Sequence, residues 1–380
     1  MGQMYTSNMA GRVFRLLSLA LKRRCLLQTK FLVHHSNVTR NVSSFQLIYN
    51  DYGDPREVIS HRIVELKPLK ENEVLVKMLM APINPSDINM VEGTYFIRPS
   101  LPAIPGNEGV GEVVEVGSAV KTLQVGDWVN PADSGWGTWR NWAVSSPAEL
   151  SKVSNDIPVM AAATLVVNPC TAYRMLKDFI QLQPGDVVIQ NGANSSVGQA
   201  VIQLARQWNI RTVNIVRNRP ELEKLAEALK KLGADHVITE EFARSGEMKI
   251  FMQSLNSKPK LALNCVGGKS ATELLRNLDQ KGVMVTYGGM SKQPILVPTG
   301  SLIFKEVEIK GYWNTEWNKC HRDSSKKQAM LDELCDLIRK GQFLLPDSYD
   351  YPLEMHKTAV ELAMEGFKCK KVMFNINRDV

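Results

Sequence analysis

Residues 187–198 (VVIQNGANSSVG) combine an apolar strand-like run, a tight turn of small side chains and the start of a helix. A pyrophosphate binds well at such a helix start, because free N–H groups and the positive end of the helix dipole face it. A second strand-like run, 212–216, is followed directly by Arg217, Asn218 and Arg219. Arginine about 20 residues beyond the turn suits the 2′-phosphate of NADP, whereas Asp or Glu would suit the 2′-OH of NAD. The spacing therefore predicts NADPH as cofactor.

The turn departs from the usual dinucleotide fingerprint, G-x-G-x-x-G. When Gly198 is aligned with its last glycine, Ala193 and Ser195 take the places of the other two. An ordinary βα loop is the alternative interpretation of the turn alone, and solvated surface side chains are the alternative for the arginines. We expect backbone N–H groups to contact the pyrophosphate at Asn194, Ser195, Ser196 and Val197. We expect Arg217 and Arg219 to bind the 2′-phosphate, with Asn218 in the same site.

The pattern around this turn indicates two kinds of structure. Short strand-like runs separated by Gly and Pro fill residues 45–167, which is typical of a compact, partly closed β domain. Between about residues 170 and 308, strands alternate with helices, and this alternation predicts βαβ units and a parallel sheet. The predicted strands are 187–190, 212–216, 236–239, 261–266 and 283–287, and the predicted helices are 197–208, 220–231 and 270–278. A helix at 327–340 and strands near 348–351 and 371–376 are expected to return to the β domain.

The excess of basic over acidic residues lies near the beginning of the chain. Residues 1–44 contain no Asp or Glu and seven basic residues, Arg12, Arg15, Lys22, Arg23, Arg24, Lys30 and Arg40. Without these seven, 39 of the 46 basic residues remain, which equals the number of acidic residues. The rest of the chain therefore has no net charge, and this disfavours nucleic acid as a partner. The segment is rich in Ser and Thr and has an amphipathic pattern. It predicts a transit peptide over 1–44 and import into the mitochondrial matrix, against a secretory signal or a basic tail. No run approaches the ~20 apolar residues of a membrane span.

Three motifs resemble the medium-chain dehydrogenase/reductases: residues 105–113 (PGNEGVGEV), 125–129 (VGDWV) and 183–188 (QPGDVV). The resemblance implies an α/β protein with a GroES-like, partly closed β-barrel catalytic domain over 45–169 and 311–380. A Rossmann doubly wound parallel-sheet domain, 170–310, would bind NADP. Zinc alcohol dehydrogenases carry a histidine ligand where this chain has Asn107, and residues 81–87 (APINPSD) lack their catalytic cysteine. The six cysteines are scattered without C-x-x-C spacing. We therefore expect no metal.

Further motifs resemble one zinc-free group, the mitochondrial enoyl-thioester reductases: residues 91–95 (VEGTY), 164–176 (TLVVNPCTAYRML), 263–269 (LNCVGGK) and 286–290 (TYGGM). This group reduces trans-2-enoyl thioesters with NADPH in mitochondrial fatty acid synthesis, on acyl carrier protein or CoA. The resemblance makes Tyr95 the proton donor, where a packed loop aromatic is the alternative. It also implies a homodimer formed through the edge strand near 307–312.

The same resemblance extends the cofactor site beyond the turn. Asn168 would bind the nicotinamide amide or ribose, with a helix N-cap as the equal alternative. Trp313 could equally be a core residue, and Lys371 taken alone would be a solvated lysine. The other residues that the resemblance places at cofactor or acyl chain are Tyr287, Gly288, Gly289, Met290, Tyr312, Asn314 and Thr315. A quinone reductase of the same superfamily, or a non-catalytic binding protein on this fold, is the alternative function.

Overall fold

Two large β-sheets and one two-stranded sheet organise residues 42–366 and 370–377, which this computed structural model describes. The predicted transit peptide lies outside these residues except at its end, where Ser43 and Ser44 already belong to the first strand. The strands are β1 (Ser43–Tyr49), β2 (Ile59–Glu65), β3 (Val74–Pro82), β4 (Val110–Val116), β5 (Trp128–Pro131), β6 (Trp142–Ser145), β7 (Leu150–Val153), β8 (Val187–Gln190), β9 (Arg211–Val216), β10 (His236–Thr239), β11 (Pro259–Asn264), β12 (Val283–Thr286), β13 (Glu308–Gly311), β14 (Ser348–Tyr351) and β15 (Lys371–Asn375).

The α-helices are named in the same way along the described chain. They are α1 (Pro55–Val58), α2 (Pro85–Val91), α3 (Val159–Thr164), α4 (Asn168–Asp178), α5 (Ser196–Gln207), α6 (Leu222–Leu232), α7 (Glu240–Arg244), α8 (Glu247–Ser254), α9 (Gly268–Asn277), α10 (Thr299–Ile303), α11 (Asn314–Cys320), α12 (Ser325–Arg339) and α13 (His356–Met364). Among the residues described, no helix has the length and apolar content needed to cross a membrane.

A seven-stranded sheet has the order β14-β15-β3-β4-β5-β7, with β6 also paired to β3. Its strands come from both ends of the described chain, because β15 pairs antiparallel with β3. Strand β3 is long and its apolar residues are buried on both faces, which makes it the centre of this sheet. The short strands separated by Gly and Pro are those that the sequence predicts.

A six-stranded parallel sheet has the order β10-β9-β8-β11-β12-β13. Every residue of β8 is buried, because helices cover both faces of the sheet. Helices α4, α5 and α12 pack on one face, and α8 and α9 on the other. The strand order turns at β8 and β11, and ligands of open parallel sheets bind beyond the carboxyl ends of strands at such a point. The predicted fold class is thus confirmed.

Local features explain where the elements differ from the predicted ranges. Strand β11 ends at Asn264 rather than at residue 266, because Gly267 and Gly268 adopt positive φ and lead directly into α9. Helix α4 begins at Asn168, so Asn168 is its first residue and not its N-cap. The β1–β2 pair and helices α7 and α8 were not among the predicted elements.

Candidate active site

A cleft of about 980 Å³ lies where the carboxyl ends of the parallel strands face the seven-stranded sheet. Its wall contains all the predicted site residues except Asn218 and Arg219, which follow Arg217 in the chain but do not line the cleft. The residues brought together are Tyr95, Asn168, Asn194, Ser195, Ser196, Val197, Arg217, Tyr287, Gly288, Gly289, Met290, Tyr312, Trp313, Asn314, Thr315 and Lys371. Seven separate stretches of chain therefore converge on one space.

The turn between β8 and α5 is built without two of the usual glycines. Ser195 is the N-cap of α5, and its hydroxyl accepts a hydrogen bond from the Gly198 backbone N–H at 3.1 Å. Gly198 is retained because a Cβ at this position would lie 2.5 Å from the Ala193 carbonyl oxygen. Ser195 thus replaces a glycine by supplying a cap, and the helix start still opens onto the cleft.

Hydrogen bonds of buried side chains hold this turn in place. Asn191 Nδ2 donates to Asn264 Oδ1 at 2.8 Å and to Ser270 Oγ at 3.1 Å, and Asn191 Oδ1 accepts from the Cys265 backbone N–H at 2.8 Å. These bonds connect the ends of β8 and β11 with the start of α9. All three amide and hydroxyl side chains are buried, where satisfied hydrogen bonds define one arrangement. The network holds the two central strands in register at the edge of the cleft.

Tyr95 and Trp313 meet across the cleft. Trp313 Nε1 donates to Tyr95 Oη at 3.0 Å, and the two rings pack edge to face. Tyr95 follows α2, where its backbone N–H bonds to the Asn89 carbonyl at 3.0 Å after a turn at Gly93 with φ of 73°. Neither side chain belongs to the fully buried core, so the alternative reading of Trp313 as a core residue is wrong. An indole N–H only donates, so the hydroxyl hydrogen of Tyr95 points elsewhere.

A buried polar cluster lies beside Asn168. Lys371 Nζ donates to Asn84 Oδ1 at 2.7 Å, and Asn84 Nδ2 donates to Glu108 Oε2 at 2.8 Å. Asn168 Nδ2 approaches the same Asn84 oxygen at 3.4 Å, and Glu108 Oε1 accepts from the Val167 backbone N–H at 2.8 Å. The alternative reading of Lys371 as a solvated lysine is wrong, because only 8% of it is exposed. The cluster joins the start of α4 to strand β15.

Burial sets the protonation chemistry of this cluster. It raises the pKa of Glu108 to about 7 and that of Asp87 to about 6, because an ionised carboxylate loses its water there. Burial also lowers the pKa of Lys371, while the nearby carboxylates oppose that shift. The lysine is therefore held by the Asn84 amide oxygen on one side and remains part of the cleft wall on the other.

The residues at the position that corresponds to the zinc ligand of the zinc alcohol dehydrogenases do not fit a metal. Asn107 Nδ2 donates to Asp87 Oδ1 at 2.7 Å, and Asn107 Oδ1 accepts from the Gly135 backbone N–H at 2.7 Å. Both polar atoms of the amide are therefore used, and the Lys371 ammonium lies against Asn84 nearby. Within residues 42–366 and 370–377, no group of three or more His, Cys, Asp or Glu side chains could hold a metal ion.

Sequence reasoning missed several residues of this site. Asn84, Glu108 and Lys327 line the cleft or support its wall, yet none carried a predicted role. The motif that contains Glu108 was recognised only for its neighbour Asn107. The available signal was an acidic residue, Glu108, within a run of small apolar residues. An acid in such a run is expected to be buried with a partner.

The fold and the cleft together define an oxidoreductase of the medium-chain dehydrogenase/reductase class. Residues 70–152 match the family described as alcohol dehydrogenase GroES-like domain, and residues 196–331 match the zinc-binding dehydrogenase family. The chain is 54% identical over 325 residues to the human mitochondrial enoyl-[acyl-carrier-protein] reductase, which covers 86% of this chain and 87% of the relative. It belongs to the family of mitochondrial enoyl-[acyl-carrier-protein] reductases, and it is a mitochondrial protein.

Solved structures agree with this assignment. A complex of Etr1p with NADP and crotonyl-CoA matches with a TM-score of 0.82 and 34% identity, covering 88% of this chain and 100% of the other. The mitochondrial 2-enoyl thioester reductase Etr1p/Etr2p heterodimer from Candida tropicalis matches with a TM-score of 0.80 and 35% identity, with the same coverage. The chain is accordingly an NADPH-dependent enoyl-thioester reductase.

Proposed function

We propose that this chain reduces trans-2-enoyl thioesters to saturated acyl thioesters in mitochondrial fatty acid synthesis, and that Tyr95 supplies the proton. The observation that carries the role of Tyr95 is its hydrogen bond from Trp313 within the cleft that also contains the start of α5. NADPH, when bound, supplies the hydride that is added to the β-carbon. The α-carbon then needs a proton, and a phenol near neutral pH still carries one.

The bond from Trp313 fits Tyr95 for this step. Because the phenol oxygen accepts the indole N–H, its own hydrogen is directed away from Trp313. The accepted bond also stabilises the phenolate that remains after the proton has moved to the α-carbon. Water at the cleft mouth returns a proton to the phenolate before the next turnover.

The cleft wall fits NADPH from one end to the other. The start of α5 at Asn194–Val197 offers N–H groups to the pyrophosphate. Arg217 is placed at the cleft for the 2′-phosphate, and Arg219 would act from just outside the wall. Asn168 and Lys371, joined through Asn84, would bind the nicotinamide end. Residues 287–290 and 312–315 complete the wall there.

The decisive experiment is NADPH oxidation by the protein without its first 41 residues. Crotonyl and longer trans-2-enoyl thioesters of CoA and of acyl carrier protein would be compared with quinones. We expect turnover of the thioesters and little or none of the quinones. Turnover of quinones alone would support the quinone reductase alternative, and NADPH binding without turnover of either would support a binding protein. A higher kcat/KM for the carrier-protein thioesters would identify the physiological carrier.

The assembly that the resemblance implies has structural support in strand β13. This strand is the last of the parallel sheet, so one edge of its backbone has no partner strand among the described residues. Apolar side chains are exposed beside it, with Phe304 at 78%, Ile303 at 63% and Ile309 at 37% exposure. An unpaired edge next to exposed apolar residues favours pairing with a second copy of the chain.

A further inference from the structure

Glu108 is a fully buried acid beside the cleft that the proposed mechanism does not use. Its exposure is 0%, and a carboxylate without water has to be paired or hydrogen-bonded by the fold. Each of its two oxygens accepts one bond: Oε2 from Asn84 Nδ2 at 2.8 Å, and Oε1 from the Val167 backbone N–H at 2.8 Å. Asn84 and Val167 both line the cleft, so this buried acid connects two parts of its wall.

The side-chain amide of Asn84 has one favourable direction in this environment. Asn84 Oδ1 accepts from Lys371 Nζ at 2.7 Å, and an ammonium group can only donate. On the other side an ionised Glu108 can only accept, so it takes the amide NH2 group. The backbone of Asn84 is held as well, because its N–H donates to Asp87 Oδ2 at 2.7 Å. Glu108 therefore determines which end of the amide meets Lys371.

The position of Lys371 depends on this direction. Lys371 is 8% exposed and lines the cleft, and its ammonium group is bonded to the Asn84 amide oxygen. The carboxylates of Glu108 and Asp87 also favour the charged form of the lysine. If the Asn84 amide turned over, its NH2 group would face the ammonium group, and two donors would meet without an acceptor. Lys371 would then have to leave its place in the wall.

The second oxygen of Glu108 acts on the start of α4. Val167 is the N-cap residue of that helix, and Glu108 Oε1 accepts its backbone N–H. The next residue, Asn168, lines the cleft and has its Nδ2 3.4 Å from the same Asn84 oxygen that binds Lys371. One carboxylate thus supports both of the side chains that we propose for the nicotinamide end of the cofactor.

We infer that Glu108 is a positioning residue, which orients Lys371 and Asn168 for the nicotinamide half of NADPH without touching the cofactor itself. This inference rests on the proposed contacts of these two side chains with NADPH. Glu108 is not part of the cleft wall, so it acts through Asn84 and Val167. A glutamine at this position has the same shape but only one oxygen, so its NH2 group would face one of the two donors.

The test compares Glu108→Gln with Glu333→Gln at about pH 8, above the pKa of about 7 that burial gives Glu108. Glu333 is a matched control, because its two oxygens also accept one bond each, from Tyr173 Oη and Trp208 Nε1, and none of these three residues lines the cleft. Dissociation constants are measured for NADPH and for adenosine 2′,5′-bisphosphate, which lacks the nicotinamide half of the cofactor.

We expect Glu108→Gln to weaken NADPH binding about tenfold or more, which corresponds to the loss of one hydrogen bond to a charged group. Binding of adenosine 2′,5′-bisphosphate should stay within about twofold, because the adenosine half is bound elsewhere in the cleft. A general loosening of the fold would weaken both ligands alike. Glu333→Gln should leave both dissociation constants unchanged.

The path through Asn84 is tested by Asn84→Ala and by the double variant with Glu108→Gln. Asn84→Ala should weaken NADPH binding and spare the bisphosphate in the same way. The double variant should lose less than the product of the two single effects, because both changes act on Lys371. Independent, fully multiplicative effects would contradict this path. Asn84→Ala also provides the measurement if Glu108→Gln does not fold.

Three results would overturn the inference: unchanged NADPH affinity in Glu108→Gln, an equal loss for NADPH and the bisphosphate, or an equal loss of NADPH affinity in Glu333→Gln. Absence of turnover with every enoyl thioester in the unaltered protein would instead contradict the proposed function. Because the binding constants are measured without any thioester, the two failures are distinguishable.

Discussion

A single hydrogen, on the phenol of Tyr95, separates the proposed reductase from a protein that only binds its ligands. We expect Tyr95→Phe to fold and to bind NADPH normally, because the change leaves the ring and its packing on Trp313. Turnover of crotonyl-CoA should fall roughly a hundredfold or more, the usual contribution of a positioned acid. Steady-state NADPH oxidation, with cofactor binding measured by fluorescence, checks both parts.

Tyr52→Phe is the matched control for this prediction. Its hydroxyl donates to the Pro99 carbonyl at 2.7 Å, and Tyr52 does not line the cleft. This variant should retain turnover even if it loses some stability. Near-normal turnover of Tyr95→Phe would remove Tyr95 from the mechanism.

Two arginines are proposed to determine which nicotinamide cofactor the protein prefers. Replacing Arg217 and Arg219 together with Ala should raise the Michaelis constant for NADPH about tenfold or more, because charge-assisted bonds to a phosphate are lost. The constant for NADH should change little, since NADH carries no 2′-phosphate. Arg244→Ala, on the surface helix α7, is the control. Equal effects on both cofactors would contradict the assignment of these arginines.

At this scale, a residue could be predicted where its role depends on neighbours in the sequence. The turn and Arg217 were predicted in this way, and the resemblance added Tyr95, Asn168 and Lys371. The environment of Lys371 could not be predicted, because its partner Asn84 is 287 residues away in the chain. Lys327 was missed because its burial depends on the packing of α12 against α4.

Among the elements, the junction of β8 and α5 has a strict steric requirement at Gly198. We expect Gly198→Ala to lower the free energy of unfolding by about 1 to 3 kcal/mol, because the new Cβ would meet the Ala193 carbonyl. NADPH affinity should fall as well, since the helix start would shift. Urea denaturation and cofactor titration measure the two effects.

Gly246→Ala gives the comparison for the same substitution. A Cβ at Gly246 meets no atom within 4 Å, and its backbone has a helical φ of −62°. That variant should keep both stability and affinity. If Gly198→Ala behaved in the same way, the turn would tolerate a wider range of side chains than its geometry indicates.

The elements themselves were largely predictable, because a parallel sheet covered on both faces needs continuous apolar runs such as β8 and β12. The residues at which the elements begin and end were less predictable. The start of α4 at Asn168 and the end of β11 at Asn264 depend on contacts made by side chains from other strands. The prediction of a partly closed β domain also did not single out the β1–β2 pair, because apolar and polar residues alternate less clearly in these two strands.

At the scale of the whole molecule, the edge strand β13 makes a prediction about assembly. Ile309→Asp should convert a dimer into monomers, because a charge would be buried at the joined edge. Size-exclusion chromatography with light scattering measures the change. Ile250→Asp, at another exposed apolar residue on α8, should leave the dimer intact. A monomeric unaltered protein would contradict the proposed dimer.

The pairing of β15 with β3 also determines the order in which the molecule can be completed during synthesis. Lys371 reaches Asn84 across 287 residues, and at about 5 to 20 residues per second the ribosome needs roughly 15 to 60 s to make that stretch. Throughout this time Met80–Pro82 at the end of the central strand lack the partner strand β15, and the cofactor cleft lacks its lysine. The parallel sheet can form before the sheet whose two parts flank it in the chain. A nascent chain of this protein therefore needs protection for β3, and it acquires a complete active site only when its last strand arrives.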